Sequence, residues 1–210
     1  MSVHLLHTAR VHCEAFDRLR DSIAPGVEIV HHVHEHWLDR ARDGKGGDLW
    51  TEIDSHLRQI EGPVLCTCST IGPMAEAAGA LRIDLPMMQA AAQLGGRALL
   101  VYCLDSTVEP SRLLLQRAIE EAGTEQDIEY LSLSHLWPIF EAGEVNQFAL
   151  EIAKSVEEVL LEIHEITVVV LAQVSMAGAA EKLTHVKPPV LSSPKLALET
   201  LLALGAAKVS

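Results

Sequence analysis

Positive charge is what this chain has least of. Lys and Arg number 16 against 29 Asp and Glu, a formal net charge of −13 over 210 residues. Nucleic-acid binding needs clustered basic side chains to displace counterions from phosphates, so that class of function is excluded. An anionic ligand must be held by local donors, not by the overall field. Aromatic residues make up only 4% of the chain, which leaves the core to Leu, Val, Ile and Ala. No apolar run approaches the roughly 18 residues that cross a bilayer. The opening "MSVHLLHTAR" has no charged segment leading into a long apolar core, so no signal peptide is read and a cytoplasmic location is expected. Cysteine occurs four times, at Cys13, Cys66, Cys68 and Cys103. In a chain this long with no export signal, free thiols are the expected state. A Gly-x-Ser-x-Gly elbow, a P-loop and a dinucleotide fingerprint are all missing.

What is present is an alternation. The apolar, β-branched runs "VHLLHT", "VEIVHHV", "PVLCTC", "RALLVYCL", "IEYLSLS", "ITVVVLAQ" and "PPVLSSP" alternate with helical segments such as "EPSRLLLQRAIEEAG" and "NQFALEIAKSVEEVLLEIH". Strands apolar on both faces, each followed by a helix, predict an α/β fold with parallel sheets flanked by helices. The pattern also repeats. Laying "VLCTCSTIGPMAE" over "VVLAQVSMAGAAE" brings Val64 onto Val169, Cys68 onto Gln173, Thr70 onto Ser175 and Glu76 onto Glu181, at a single offset (173 − 68 = 105). "VEIVHHVHEHW" lies over "IEYLSLSHLW" upstream, and "DLPMMQAAAQLGG" resembles "KPPVLSSPKLALETLLALG" downstream, in the same order. Two pseudo-symmetric lobes follow: residues 1–95, with a C-terminal helix at about 195–210 returning to them, and residues 96–194. Ligands of parallel sheets bind beyond the carboxyl ends of the strands, so the expected active site is a cleft between the lobes.

The stretch "PVLCTCSTIGPMAE" is the seam between a buried strand and a helix N-terminus. A thiol there lies near unpaired backbone N–H groups and the positive end of a helix dipole, which predicts a lowered pKa for Cys68. The same N–H groups with the Ser69 and Thr70 hydroxyls can hold a carboxylate, and Gly72 would let a ligand approach the backbone. A thiolate beside a bound carboxylate can move a proton at the adjacent carbon. The competing reading is a small buried hydrophobe capped by polar turn residues.

"VLCTCSTIGPMAE", the repeated "VVVLAQVSMAG" and the late "PPVLSSP" resemble the aspartate/glutamate/hydantoin racemase superfamily, which also contains an arylmalonate decarboxylase and a maleate cis–trans isomerase. Cys68-Ser69-Thr70 stands where that family has Cys-Asn-Thr. Ala172-Gln173-Val174-Ser175-Met176 stands where it has Gly-Cys and a small turn. The resemblance implies two α/β lobes, a small carboxylate substrate and no cofactor or metal. It places Thr8 and His12 at the site from the first-strand loop, and Ser106 and Thr107 from the "LDST" turn. Family racemases invert a stereocentre with two thiols, one on each face. Gln173, a neutral amide, cannot take up or release a proton. Ser175 is too weakly acidic to act without a partner base, and Cys13 is expected a turn away on the first helix. Racemisation by an altered route therefore stands beside decarboxylation or isomerisation by one thiol, with Gln173 and donors near Ser175 holding an oxyanion. A non-catalytic small-anion binding module is the rival of another class. Met176 is expected in the substrate pocket, and Arg10 is a candidate carboxylate clamp.

His32, His34 and His36 in "HHVHEHW" would share one face of a strand, a metal-like spacing, but the stretch reads as a solvated strand end and no metal is expected. The spacing Cys66-Thr67-Cys68 does not suit a redox pair. No nucleic-acid or membrane partner is expected, and so apolar a chain is compatible with a homodimer.

Overall fold

The computed structural model describes residues 2–44 and 47–207. Residues 45–46 of the glycine-rich stretch and 208–210 of the expected C-terminal helix lie outside the described residues. In chain order the elements are β1 (Ser2–His7), α1 (Val11–Ile23), β2 (Glu28–Val33), α2 (Glu35–Arg42), α3 (Leu49–Leu57), β3 (Val64–Cys66), α4 (Gly72–Ala77), β4 (Leu81–Arg82), α5 (Leu85–Leu94), β5 (Gly96–Tyr102), α6 (Asp105–Ala122), β6 (Gln126–Ser132), α7 (Trp137–Glu141), α8 (Val145–Glu162), β7 (Val168–Leu171), α9 (Ala177–Lys182), β8 (Val190–Ser192) and α10 (Ser193–Ala207). No helix among the described residues is long and apolar enough to cross a membrane.

The strands form two four-stranded sheets with the same order, β2-β1-β3-β4 and β6-β5-β7-β8, and every pairing is parallel. Each sheet heads one compact unit: Met1–Leu85 with Pro194–Ser210, and Pro86–Ser193. The central strands are apolar on both faces because helices cover both. β7, "VVVL", is fully buried along its length. In the first unit Leu6 and Cys66 point into a core built with Trp37, Leu49, Ile53 and Ile71. Alternation turns Leu5 and His7 to the opposite face, where Phe16 of α1 lies with its ring 5.7 Å from that of His7. In the second unit Leu99, Val101, Val169 and Leu171 pack against Phe148, Ile152 and Val156 of α8.

The sequence repeat is visible in the ladders. Thr67 N–H, one residue past β3, donates to Leu6 O at 2.9 Å, and Ala172 N–H, one residue past β7, donates to Val101 O at 3.0 Å. Cys68 and Gln173 are thus the next residue out at equivalent places in their own sheets. Likewise His34 N–H donates to His7 O and Leu133 N–H to Tyr102 O.

Candidate active site

The carboxyl edge of the first sheet is built from the residues that follow β1 and β3. Thr8, directly after β1, is buried, and its hydroxyl donates to Cys68 Sγ. The turn into α4 bends the backbone so that the N–H groups of Thr70 and Ile71, with the Thr70 hydroxyl, converge on the same sulfur. Burial nevertheless pushes the Cys68 thiol above its usual pKa, against these four donors. The expectation of a lowered pKa is therefore corrected. Desolvation of the charged form outweighs the hydrogen bonds, and α4, six residues long, contributes local N–H groups in place of a long helix dipole. The resting group is a protonated, partly exposed thiol surrounded by donors that would hold its conjugate base.

Its neighbours are inert. The Cys66 S–H donates to Cys68 O at 3.6 Å, and burial pushes its pKa far up. All four cysteines are free thiols. Gly72 is tightly packed: a Cβ there would lie 3.1 Å from Arg82 Nε. Arg82 is itself buried and forms a two-pronged pair with buried Asp84, Nε to Oδ1 at 2.9 Å and Nη2 to Oδ2 at 2.8 Å.

At the second edge the Gln173 side chain folds back onto the end of β5. Its Oε1 accepts from Cys103 N–H at 2.6 Å and Leu104 N–H at 3.1 Å. A side-chain oxygen thus occupies the two backbone donors at the strand tip, and only the amide nitrogen of Gln173 is left to donate. The Ser175 hydroxyl is buried and has no hydrogen-bond partner. Burial pushes the Cys103 thiol up to about 12.

The first edge thus brings Thr8, Cys68 and Thr70 into direct contact. Ser69 is buried beside them, its carbonyl accepting from Gly72 N–H at 3.3 Å. His12, in the first turn of α1, is held by burial down to about 4. Arg10 is exposed just before α1, with its backbone N–H 3.3 Å from Glu35 Oε1. Ser106 is partly exposed and Thr107 buried at the start of α6, where Thr107 N–H donates to Leu104 O. Met176 is fully buried and packs in the second unit's core. The three histidines of "HHVHEHW" do not share a strand face, because β2 stops at Val33. His32 meets His4 at 3.1 Å, whereas His34 stacks on Trp37 with centroids 3.9 Å apart and His36 lies in α2. Sequence reasoning missed the backbone donors of Ile71, Cys103 and Leu104, which carry no residue-type signal, and it missed His7, one of two histidines in the otherwise largely apolar β1.

No protein-family model matches the chain, and no curated protein matches it. Solved structures do. Glutamate racemase from Francisella tularensis in complex with D-glutamate superposes with a TM-score of 0.67 at 13% identity, over 99% of this chain and 82% of that one. Allantoin racemase from Klebsiella pneumoniae gives 0.62 at 16% identity, over 99% and 89%. A mutant of arylmalonate decarboxylase in a sulfate-associated form gives 0.56 at 13% identity, over 98% and 94%. The chain has the fold that these racemases and this decarboxylase share, the fold that its strand-turn motifs anticipate.

Proposed function

We propose that this chain is a cofactor-independent, racemase-like enzyme of the aspartate/glutamate racemase superfamily. It acts on a small carboxylic acid, and Cys68 transfers a proton at the carbon next to the carboxylate. The observation that carries this reading is the set of four donors converging on Cys68 Sγ at the edge of a parallel sheet. A structural cysteine needs no such donors. A thiol that gives up its proton during turnover does, because each donor strengthens as charge appears on sulfur. The protonated resting state suits delivery of a proton to an enolate-like intermediate. The donors then hold the thiolate until it recovers a proton from solvent or from the next substrate.

A single thiol distinguishes the reactions available. Gln173 stands at the place equivalent to Cys68, with its oxygen committed to Cys103 and Leu104, and it cannot return a proton to a second face. This favours one-faced chemistry, decarboxylation of a malonate-type acid or isomerisation of an activated double bond, as the second reading beside racemisation by an altered route. The unpartnered Ser175 hydroxyl and the Gln173 amide nitrogen are the groups proposed to meet a developing oxyanion. Chiral chromatography and carbon dioxide release, measured with a panel of amino acids, hydantoins, malonates and maleate, separate the alternatives. Conversion of either enantiomer into a racemate supports a racemase. A single enantiomer formed from a prochiral malonate supports the one-faced route. Inertness across the panel, with a Cys68 thiol sluggish towards alkylation, would leave an anion-binding module.

A further inference from the structure

On the helix-α1 face of the first sheet, behind the Thr8–Cys68 edge, lies a cluster that the proposed chemistry does not use. Among the described residues, one ligand atom from each of His7, Cys13 and His31 lies within 4.8 Å of the other two. The sequence separates them by up to 24 positions, but the fold brings them together for simple reasons. Leu5 pairs with His31 in the parallel register, so His31 and His7 share a face. Cys13, Phe16 and Asp17 are spaced i, i+3, i+4 on α1, so the thiol and the carboxylate flank the buried Phe16.

The outer nitrogen of His7 has a partner that fixes where its proton lies, whereas that of His31 is buried without a hydrogen bond. Thr67 Oγ1 is 3.1 Å from Leu6 O and 2.8 Å from His7 Nδ1. A carbonyl only accepts, so the hydroxyl donates to it and His7 Nδ1–H donates to the hydroxyl. His31 Nε2 lies 3.4 Å from Asp17 Oδ1, an acceptor. His7 Nε2 is therefore bare and accepts from His31 Nδ1–H at 2.8 Å. Moving the His31 proton to its unpartnered Nε2, which faces Asp17, frees Nδ1 and leaves both inner nitrogens able to ligate a cation. A divalent ion is balanced by the Cys13 thiolate and the Asp17 carboxylate.

We propose that His7, His31 and Cys13 form a binding site for a borderline divalent cation of the zinc class. Thr67 orients the His7 imidazole from behind, and the Asp17 carboxylate lies 3.4 Å from the outer nitrogen of His31. Backing of this kind by hydroxyl and carboxylate is the usual arrangement around metal-bound histidine. Tetrahedral Zn–N bonds of about 2.0–2.1 Å put two nitrogens roughly 3.3 Å apart, so the pair opens by about half an ångström as the ion enters. Three protein ligands leave a fourth position for water. Binding releases the Cys13 thiol proton, because sulfur ligates as the thiolate. An ion here would tie the end of β1, and so the strand that leads to Thr8, to β2 and α1.

The test is titration of chelator-stripped protein with Zn²⁺ against a chromophoric competitor, and with Co²⁺ read by absorbance. Expected are one tight equivalent, release of one proton per ion, and a thiolate-to-cobalt charge-transfer band. Cys13→Ser should abolish the band. Asp17→Asn should weaken binding about 10–100-fold. A His34→Gln, His56→Gln double variant, altering the separate histidine web, should change neither. Absence of a tight equivalent, or binding that survives Cys13→Ser and His31→Gln while circular dichroism shows those variants folded, overturns the proposal. Either result would mean that Thr67, His7 and His31 form only a chain of hydrogen bonds.

Discussion

Replacing Thr8 by Val keeps the side-chain shape and removes one hydroxyl that donates to Cys68 Sγ. A hydrogen bond to a charged partner is worth about 1.5–3 kcal/mol, and about 1.4 kcal/mol is a factor of ten. The thiolate fraction of Cys68 near neutrality should therefore fall roughly ten- to hundredfold. The alkylation rate falls less, because the more basic thiolate is the better nucleophile. With a Brønsted coefficient near 0.45, the net slowing is roughly four- to fifteenfold. The assay is the pH dependence of iodoacetamide labelling, followed by mass spectrometry at the Cys68 peptide so that labelling of the partly exposed Cys13 is counted separately. Thr8→Ser, which keeps the hydroxyl, should restore most of the rate. An unchanged profile in Thr8→Val would refute the claim that the sheet-edge donors govern this thiol.

Other consequences follow from the same geometry. Gly72→Ala pushes a Cβ to 3.1 Å from Arg82 Nε, a guanidinium pinned by Asp84, and should cost about 1–3 kcal/mol in denaturant unfolding. Gln173→Leu strips the acceptor from the N–H groups of Cys103 and Leu104; it should cost about 1–3 kcal/mol for each group left dry, whereas Gln173→Glu should retain the acceptor. Stability should fall on acidification from about 6.5 towards 3. Burial holds His7 down to about 3 and His12 to about 4 in the folded chain, so the unfolded chain binds these protons first and folding is progressively penalised below the ordinary histidine pKa. Thermal denaturation between pH 7 and 4.5 should show this slope, and His12→Gln should flatten it.

The fold was legible where it depended on local pattern. Runs such as "VVVL" are apolar at every position because both faces are covered, and the offset relating Cys68 to Gln173 reappears as matching ladder bonds at Thr67 and Ala172. Features set by tertiary packing were not legible. Gly72 carries the same signal whether it makes room for a ligand or for Arg82. The sign of the Cys68 shift depends on how far burial outweighs four donors, two of them backbone N–H groups. The histidines of β2 read as a metal-like row only if the strand continues past Val33, and it stops there. The cluster that does form draws one member each from β1, α1 and β2, and no spacing in the sequence announces it.

The central claim, that Cys68 moves a proton at a carbon beside a carboxylate, is met most directly by solvent isotope exchange. In deuterium oxide the wild-type protein should introduce deuterium at the α-carbon of at least one acid in the amino acid, hydantoin, malonate and maleate panel, and Cys68→Ala should reduce that rate to background while remaining folded. Exchange that continues undiminished in Cys68→Ala would contradict the account.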